Sequence, residues 1–247
     1  MSEDIFSANA LLATVEQPVR ARFQDRLQRV ELQQGQLLYS LGNSLTHVYF
    51  PLSGLVGILA ETPDGDMIDS AFVGREGAVG AFEACGSRQF FAEAVVKVPG
   101  QAGRMTATAY RELFDESPAI RTAAHLYVEQ VVSETRQWVA CNSIHDLEAR
   151  LCRTILEALD KSGLVDTLPL TQRTMARMLG AQRTTIAEIL ARLERDEVLK
   201  KRRGEIAIED RAALERLSCG CRSAMRLART AIWAAEEPAC EAVIAAE

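Results

Sequence analysis

Residues 171–203, TQRTMARMLGAQRTTIAEILARLERDEVLKKRR, carry the densest basic charge of the 247-residue chain. Nine Lys or Arg stand there against four acids, leaving +5 locally and −11 elsewhere in a chain of net charge −6. An acidic total does not exclude nucleic acid, because local potential governs approach to DNA more than total charge does. Arg183 opens an apolar-periodic run, and an arginine fork matches the O6 and N7 acceptors of guanine. Glu188 either accepts from cytosine N4 or faces away. Lys200, Lys201, Arg202 and Arg203 suit flanking phosphates, which position a protein without specifying sequence. A solvated hairpin tip is the other reading of that basic run.

The second candidate chemistry is sulfur. Cys85, Cys141, Cys152, Cys219, Cys221 and Cys240 are scattered, and only Cys219-Gly-Cys221 is a close pair. A metal site usually brings two such clusters or nearby histidines. His47, His125 and His145 lie far from that pair in sequence. Free thiols and no metal are expected, with a redox role for Cys141, Cys152 or Cys219/Cys221 as an alternative. No nucleophile elbow, P-loop or HExxH string occurs, so no enzyme is expected.

The elements that position these residues follow from periodicity. Residues 5–29 read as helical, with Leu11, Leu12, Val15, Val19, Phe23 and Leu27 on one face. From Val30 short β-rich runs appear (VELQQG, QLLYSLGN, HVYFPLSG, LVGILAETPDGD, MIDSAFVG, AEAVVKVPG), punctuated by Gly, Asn, Asp and Pro. That spacing indicates an antiparallel roll or sandwich. Asp64-Gly65 suits a hairpin turn. Tyr110–Phe114 reads as a short helix. Ser117 and Pro118 then cap and start a long one.

Along that helix Ile120, Ala124, Tyr127, Val131, Glu134, Trp138 and Cys141 alternate spacings of four and three. Packing on the chain's own roll and a seam between two subunits are both compatible with it. A further helix runs from about Ile144 to Lys161 and stops at Ser162-Gly163. Thr171 caps a helix through Leu179, Gly180 turns the chain, and a second helix begins near Arg183. Ala176, Gly180 and Ile186 have the spacing of a tight helix-turn-helix. An ordinary helical hairpin shares that pattern. VLKKRRGEIAI adds two short β-like runs about Arg203-Gly204, a basic wing.

The order of these elements, with HVYFPLSG, VGREG (Val73–Gly77), CNSIHDLEARLCR and LPLTQRTMARMLGAQRTTI, resembles the Crp–Fnr superfamily of bacterial transcription regulators over roughly residues 10–220. The resemblance implies an α+β fold. An N-terminal antiparallel β-roll of cyclic-nucleotide-binding type is followed by a long dimerisation helix and a C-terminal winged helix-turn-helix. It implies a homodimer on palindromic double-stranded DNA, with Ile120, Ala124, Tyr127, Val131 and Trp138 between subunits. Arg183 aligns with a base-contacting arginine, and Thr171 and Thr185 with phosphate-gripping hydroxyls. Gln172 completes the expected interface. Thr184 and Glu188 depart from the residues of well-known members, which implies a different operator.

In the roll, Ala78 stands where the family's ribose-binding glutamate belongs. Arg88 takes the phosphate position and Gln89 replaces the hydroxyl residue, while Glu76 is displaced. Cyclic AMP is therefore not expected, because a buried anion would lack compensation. A small-molecule effector remains open, with Glu76, Arg88 and Gln89 as its candidate contacts. The iron–sulfur members' N-terminal cysteines are missing and no haem ligands stand out, so no cofactor is expected.

The expected organisation is a sensor roll over 1–117, the dimerisation helix over 118–143, the DNA-binding domain over 144–226 and a tail over 227–247. No apolar run approaches the ~18 residues of a membrane span, and the N-terminus lacks a secretory signal. A cytoplasmic regulator is expected. The alternative is an effector- or thiol-sensing roll whose helical C-terminal domain does not read sequence.

Overall fold

The computed structural model describes residues 4–234. Cys240 and the acidic end of the tail lie outside them. Three short helices open the chain: α1 (Ile5–Ala8), α2 (Ala10–Ala13) and α3 (Val19–Gln24). They replace the single helix expected over 5–29. Asn9 is extended and buried, and its Oδ1 accepts the Leu12 N–H at 3.0 Å. Its amide donates to the carbonyls of Pro51 and Gly77, each at 2.9 Å. These long-range bonds outweigh helical continuity, and Pro18 interrupts the run again before α3.

The roll follows as β1 (Gln28–Leu32), β2 (Leu37–Tyr39), β3 (Asn43–Ser44), β4 (His47–Pro51), β5 (Leu55–Glu61) and β6 (Met67–Val73). It continues through α4 (Ala81–Cys85), β7 (Gln89–Phe90), β8 (Glu93–Val98) and β9 (Gly100–Thr106). All pairing is antiparallel, in sheets ordered β1-β9-β4 and β2-β8-β5-β6 with a β3-β7 ribbon. Gly65, at φ +85°, turns the β5–β6 hairpin as its Asp-Gly pair predicts. Helix α4 and strands β7 and β9 are additional to the expected runs. The two glycines of β9 leave too little apolar alternation to reveal it.

Helix α5 (Ala107–Glu116) leads to the long helix α6 (Pro118–Ile144). The Ile120 N–H donates to Ser117 Oγ, and Pro118 occupies the first turn. The expected intersubunit residues prove to be internal. Ile120, Ala124, Tyr127 and Trp138 are buried within the chain, and Val131 is half-buried against the roll. The Tyr127 hydroxyl donates to the Ala78 carbonyl at 3.1 Å, and the Trp138 ring meets Phe72 edge-on at 5.0 Å. Two apolar stripes run along α6, and the one with the larger side chains packs on the chain's own roll.

Helix α7 (Leu147–Ser162) is capped by Asp146 and closed by Gly163 at φ +78°. Then come β10 (Thr167–Leu168), α8 (Gln172–Leu179), α9 (Arg183–Arg195), β11 (Leu199–Arg202), β12 (Glu205–Ile208), α10 (Arg211–Leu217) and α11 (Cys221–Ala234). Strands β10, β12 and β11 form a small antiparallel sheet in that order. Residues 227–234, expected in a tail, are the last turns of α11. That helix returns along α6, where the Trp233 indole donates to Gln130 Oε1 at 2.8 Å.

One core fills the roll, and a second joins α7 to α10. The second also takes in Leu55, Phe72 and Val98 of the roll, so the halves pack against one another. The VGREG loop is the seat of that contact. A Cβ on Gly74 would lie 2.2 Å from the Lys161 carbonyl oxygen, and one on Gly77 2.3 Å from the Tyr127 hydroxyl. These two glycines are required by close approach; Gly80, at φ +86°, is the turn glycine of the set.

Candidate nucleic-acid interface and ligand cavity

Thr171 Oγ1 accepts the Thr174 N–H at 3.1 Å and starts α8. Gly180, at φ +60°, ends it, with the Ala181 N–H donating back to the Ala176 carbonyl at 2.9 Å. That pattern is a glycine helix stop of Schellman type. It tips α9 out of line, so that Arg183, Thr184 and Glu188 are exposed and Thr185 is half-buried. Ile186, Ile189, Leu190 and Leu193 bury the opposite face of α9.

The β11–β12 hairpin stands beside these helices, with Gly204 at φ +82° in its turn. A groove of about 510 Å³ lies among the three, lined by Thr171, Gln172, Arg173, Arg183, Lys201 and Arg202. Five of the expected DNA contacts thus meet in one concavity. Lys200 and Arg203 are exposed on the wing. Lys201 is engaged at home: its ammonium meets Glu194 at 2.8 Å, and its N–H donates to the same carboxylate at 2.9 Å. Those bonds hold the Glu194 carboxyl below its ordinary range. Arg202 faces Glu205 at 3.6 Å.

The roll encloses a cavity of about 390 Å³ against α6. Aromatic rings dominate it: Phe72, Phe82, Phe90, Phe91, Tyr127 and Trp138. Among the described residues its charged lining is Glu76, Glu83 and Glu134, with neither Lys nor Arg. Arg88 and Gln89, expected at the effector, do not line it. Arg88 sits at φ +62° in the exposed turn before β7. Three buried polar atoms at the wall have no partner among the described residues: Glu76 Oε2, Glu83 Oε2 and Trp138 Nε1. Burial pushes the Glu83 carboxyl up to about 7.

A charge network that sequence reasoning missed links this wall to α7. The buried Lys161 ammonium lies 3.0 Å from Glu76, 2.7 Å from Glu134 and 3.6 Å from Glu157. It also donates to the Phe72 carbonyl at 2.9 Å. Burial opposes its charge, but the three carboxylates hold it above its ordinary range. Arg153 pairs with Glu157 at 2.6 Å and lies over the Trp138 ring. The spacing of Arg153, Glu157 and Lys161 by fours was the available signal, since it sets three charges on one helical face.

Four side chains of metal-ligand type, in two pairs remote from each other in sequence, meet in three dimensions. Cys141, His145, Cys219 and Cys221 converge, with their ligand atoms within 4.8 Å of one another. The overlooked signal was Cys141-x3-His145, an i,i+4 pair.

Two family models match the chain. A cyclic nucleotide-binding domain covers residues 29–117, and a Crp-like helix-turn-helix domain covers residues 149–217. Among solved structures, the c-di-GMP-responsive global regulator CLP of Xanthomonas campestris is similar at 18% identity. The match covers 78% of this chain and 99% of that one, with a TM-score of 0.63. A putative transcriptional regulator of the Crp/Fnr family from Eubacterium rectale is similar at 20% identity, covering 85% and 98%, with a TM-score of 0.65. A Crp/Fnr-family regulator from Thermus thermophilus matches at 19% identity over 77% and 98%, with a TM-score of 0.62. At such identities the likeness is one of fold. No sequence among the curated proteins matches the chain.

Proposed function

From a chain that belongs to the Crp–Fnr superfamily of transcription regulators, we propose a homodimer that reads a two-fold symmetric DNA site and answers to an apolar effector in its roll. The observation that carries the DNA reading is the groove where Arg183, at the start of α9, faces the wing and the cap of α8. The N-terminal residues of such a second helix reach base edges in the major groove. Thr171, Gln172, Thr184, Thr185, Lys200, Arg202 and Arg203 surround it as backbone contacts, and Glu188 projects from the same face. Lys201 contributes less, because DNA must first draw it from Glu194.

The second subunit lies along the exposed stripe of α6. His125, Val128, Val132, Thr135, Val139 and Asn142 repeat at three and four. Val128, Val132 and Val139 are 36%, 40% and 63% exposed. Val132 and Val139 share one heptad position, and β-branched residues there favour two parallel strands.

The effector reading rests on the cavity's chemistry. Its carboxylates and aromatic faces repel an anionic phosphate and favour an apolar molecule with a donor or a positive end. Cyclic AMP is expected to leave the melting temperature unchanged, whereas an aromatic amine such as tryptamine raises it. A rise with cyclic AMP alone would overturn this reading. Glu76 and Glu134 both line the cavity and hold Lys161 of α7, so an occupant acts directly on the DNA-binding half.

Selection of bound sequences from a random duplex library tests the whole proposal. An inverted repeat with half-sites about one helical turn apart is expected. Three wing cations per subunit give a log K against log salt slope of roughly −5. Equal affinity for selected and random duplexes would remove the sequence-specific function.

A further inference from the structure

We propose that Cys141, His145, Cys219 and Cys221 form a tetrahedral zinc site that clamps the end of the DNA-binding half to the long helix α6. The Sγ atoms of Cys141 and Cys219 are 3.5 Å apart. Cys221 Sγ and His145 Nδ1 are also 3.5 Å apart. With metal–sulfur bonds of ~2.3 Å and metal–nitrogen bonds of ~2.0 Å, a tetrahedron has edges of roughly 3.5–3.7 Å. All four donor atoms already lie within 4.8 Å of one another, so a central ion requires only a small contraction.

The donor set selects the ion. Three thiolates and one imidazole, four in number, are the ligands of structural zinc. Cys141 is 1% exposed, Cys221 4% and Cys219 8%, with His145 half-buried, and four protein ligands leave no open position for a substrate. The surroundings fit a bound thiolate cluster. The Gln137 side-chain amide donates to Cys221 Sγ at 3.1 Å. Such second-layer donors orient and stabilise metal-bound sulfur. Three thiolates and a divalent ion carry one net negative charge. Among the described residues the three cysteines, with Ala149 packed against them, form a small apolar core of their own, apart from the two large ones.

Its place in the fold gives the site a consequence. Cys141 and His145 end α6, while Cys219 and Cys221 join α10 to α11. Between α6 and α7 only His145 and Asp146 intervene. That junction is where the DNA-binding half would pivot on the long helix. An ion held from both sides spans the pivot, and so sets the separation of the two α9 helices in a dimer. This consequence rests on the DNA-binding reading; the site itself does not.

Metal analysis of the full chain, purified without chelator, tests the site alone. About one zinc per chain is expected. Cys141→Ser and Cys219→Ser lose it, while Cys85→Ser in the roll retains it. Cobalt(II) added to chelator-stripped protein should give the strong visible absorption of tetrahedral thiolate coordination. His145→Cys preserves that absorption and intensifies the sulfur-to-metal charge transfer, which keeps the test decisive if the serine variants misfold. Zinc binding should also release about three protons, one from each thiol. A full chain with neither zinc nor a cobalt spectrum overturns the site. So does zinc that survives Cys141→Ser/Cys219→Ser, or a Cys141–Cys219 disulfide in anaerobically purified protein. With the site established, stripping the metal is expected to weaken operator binding at least tenfold at unchanged helix content. If metal-loaded protein binds no DNA at all, the regulator reading fails and the zinc site stands.

Discussion

Arg183 is exposed at the head of α9, where its fork is free to meet a guanine edge. Arg183→Ala is expected to cost ~1–3 kcal/mol on the selected operator and to relax preference at one base pair. Equal loss on operator and random DNA in a gel-shift series would reduce Arg183 to a phosphate contact. Glu83 makes a second residue-scale prediction. Burial holds its carboxyl up to about 7 in the folded chain, against roughly 4.3 for an unfolded glutamate. The unfolded state therefore releases its proton first, and stability falls as pH rises between those values. Glu83→Gln should be neutral near pH 4 and stabilising by about 3–4 kcal/mol at pH 8. Chemical denaturation at the two pH values reads this; an equal effect at both would show an ordinary carboxylate. The place of Arg183 at the exposed head of a helix was legible in the sequence, because caps and periodicity fix it locally. Glu83 was not, because its titration follows from what covers it.

At the scale of elements, local signals carried far. Ser117-Pro118, Asp64-Gly65, Thr171, Gly163 and Gly180 each act where their backbone chemistry predicts. Helix α6 shows where that reading stops. Its heptad was legible, but periodicity cannot say which of two apolar stripes meets the chain's own roll. Val132→Glu with Val139→Glu is expected to turn the proposed dimer into a folded monomer, measured by sedimentation with circular dichroism unchanged. Persistence of the dimer would move the interface elsewhere. The VGREG loop supports a further test. Gly74→Ala sets a methyl against the backbone of α7, an overpacking that costs ~1–3 kcal/mol. A melting temperature equal to the parent's would mean that α7 does not seat on this loop in solution.

Across the whole molecule, charge and cavity act together. The roll cavity, the Lys161 network and α7 form one contiguous path from a ligand wall to the DNA-binding half. The Cys-His cluster stands at the other end of α7, across the pivot. By itself the sequence determined most of the element types and their order, the helix-turn-helix with its basic wing, and the family resemblance. Each depends on interactions within a few residues: caps, turns, periodicity and local charge. Tertiary structure alone decided which stripe of α6 is free, which carboxylates face the cavity, and that Arg88 does not. It also gathered four metal-type ligands from 81 positions of chain, Cys141 to Cys221. Those outcomes depend on distances between residues remote in sequence, and packing sets such distances in ways that local periodicity does not encode.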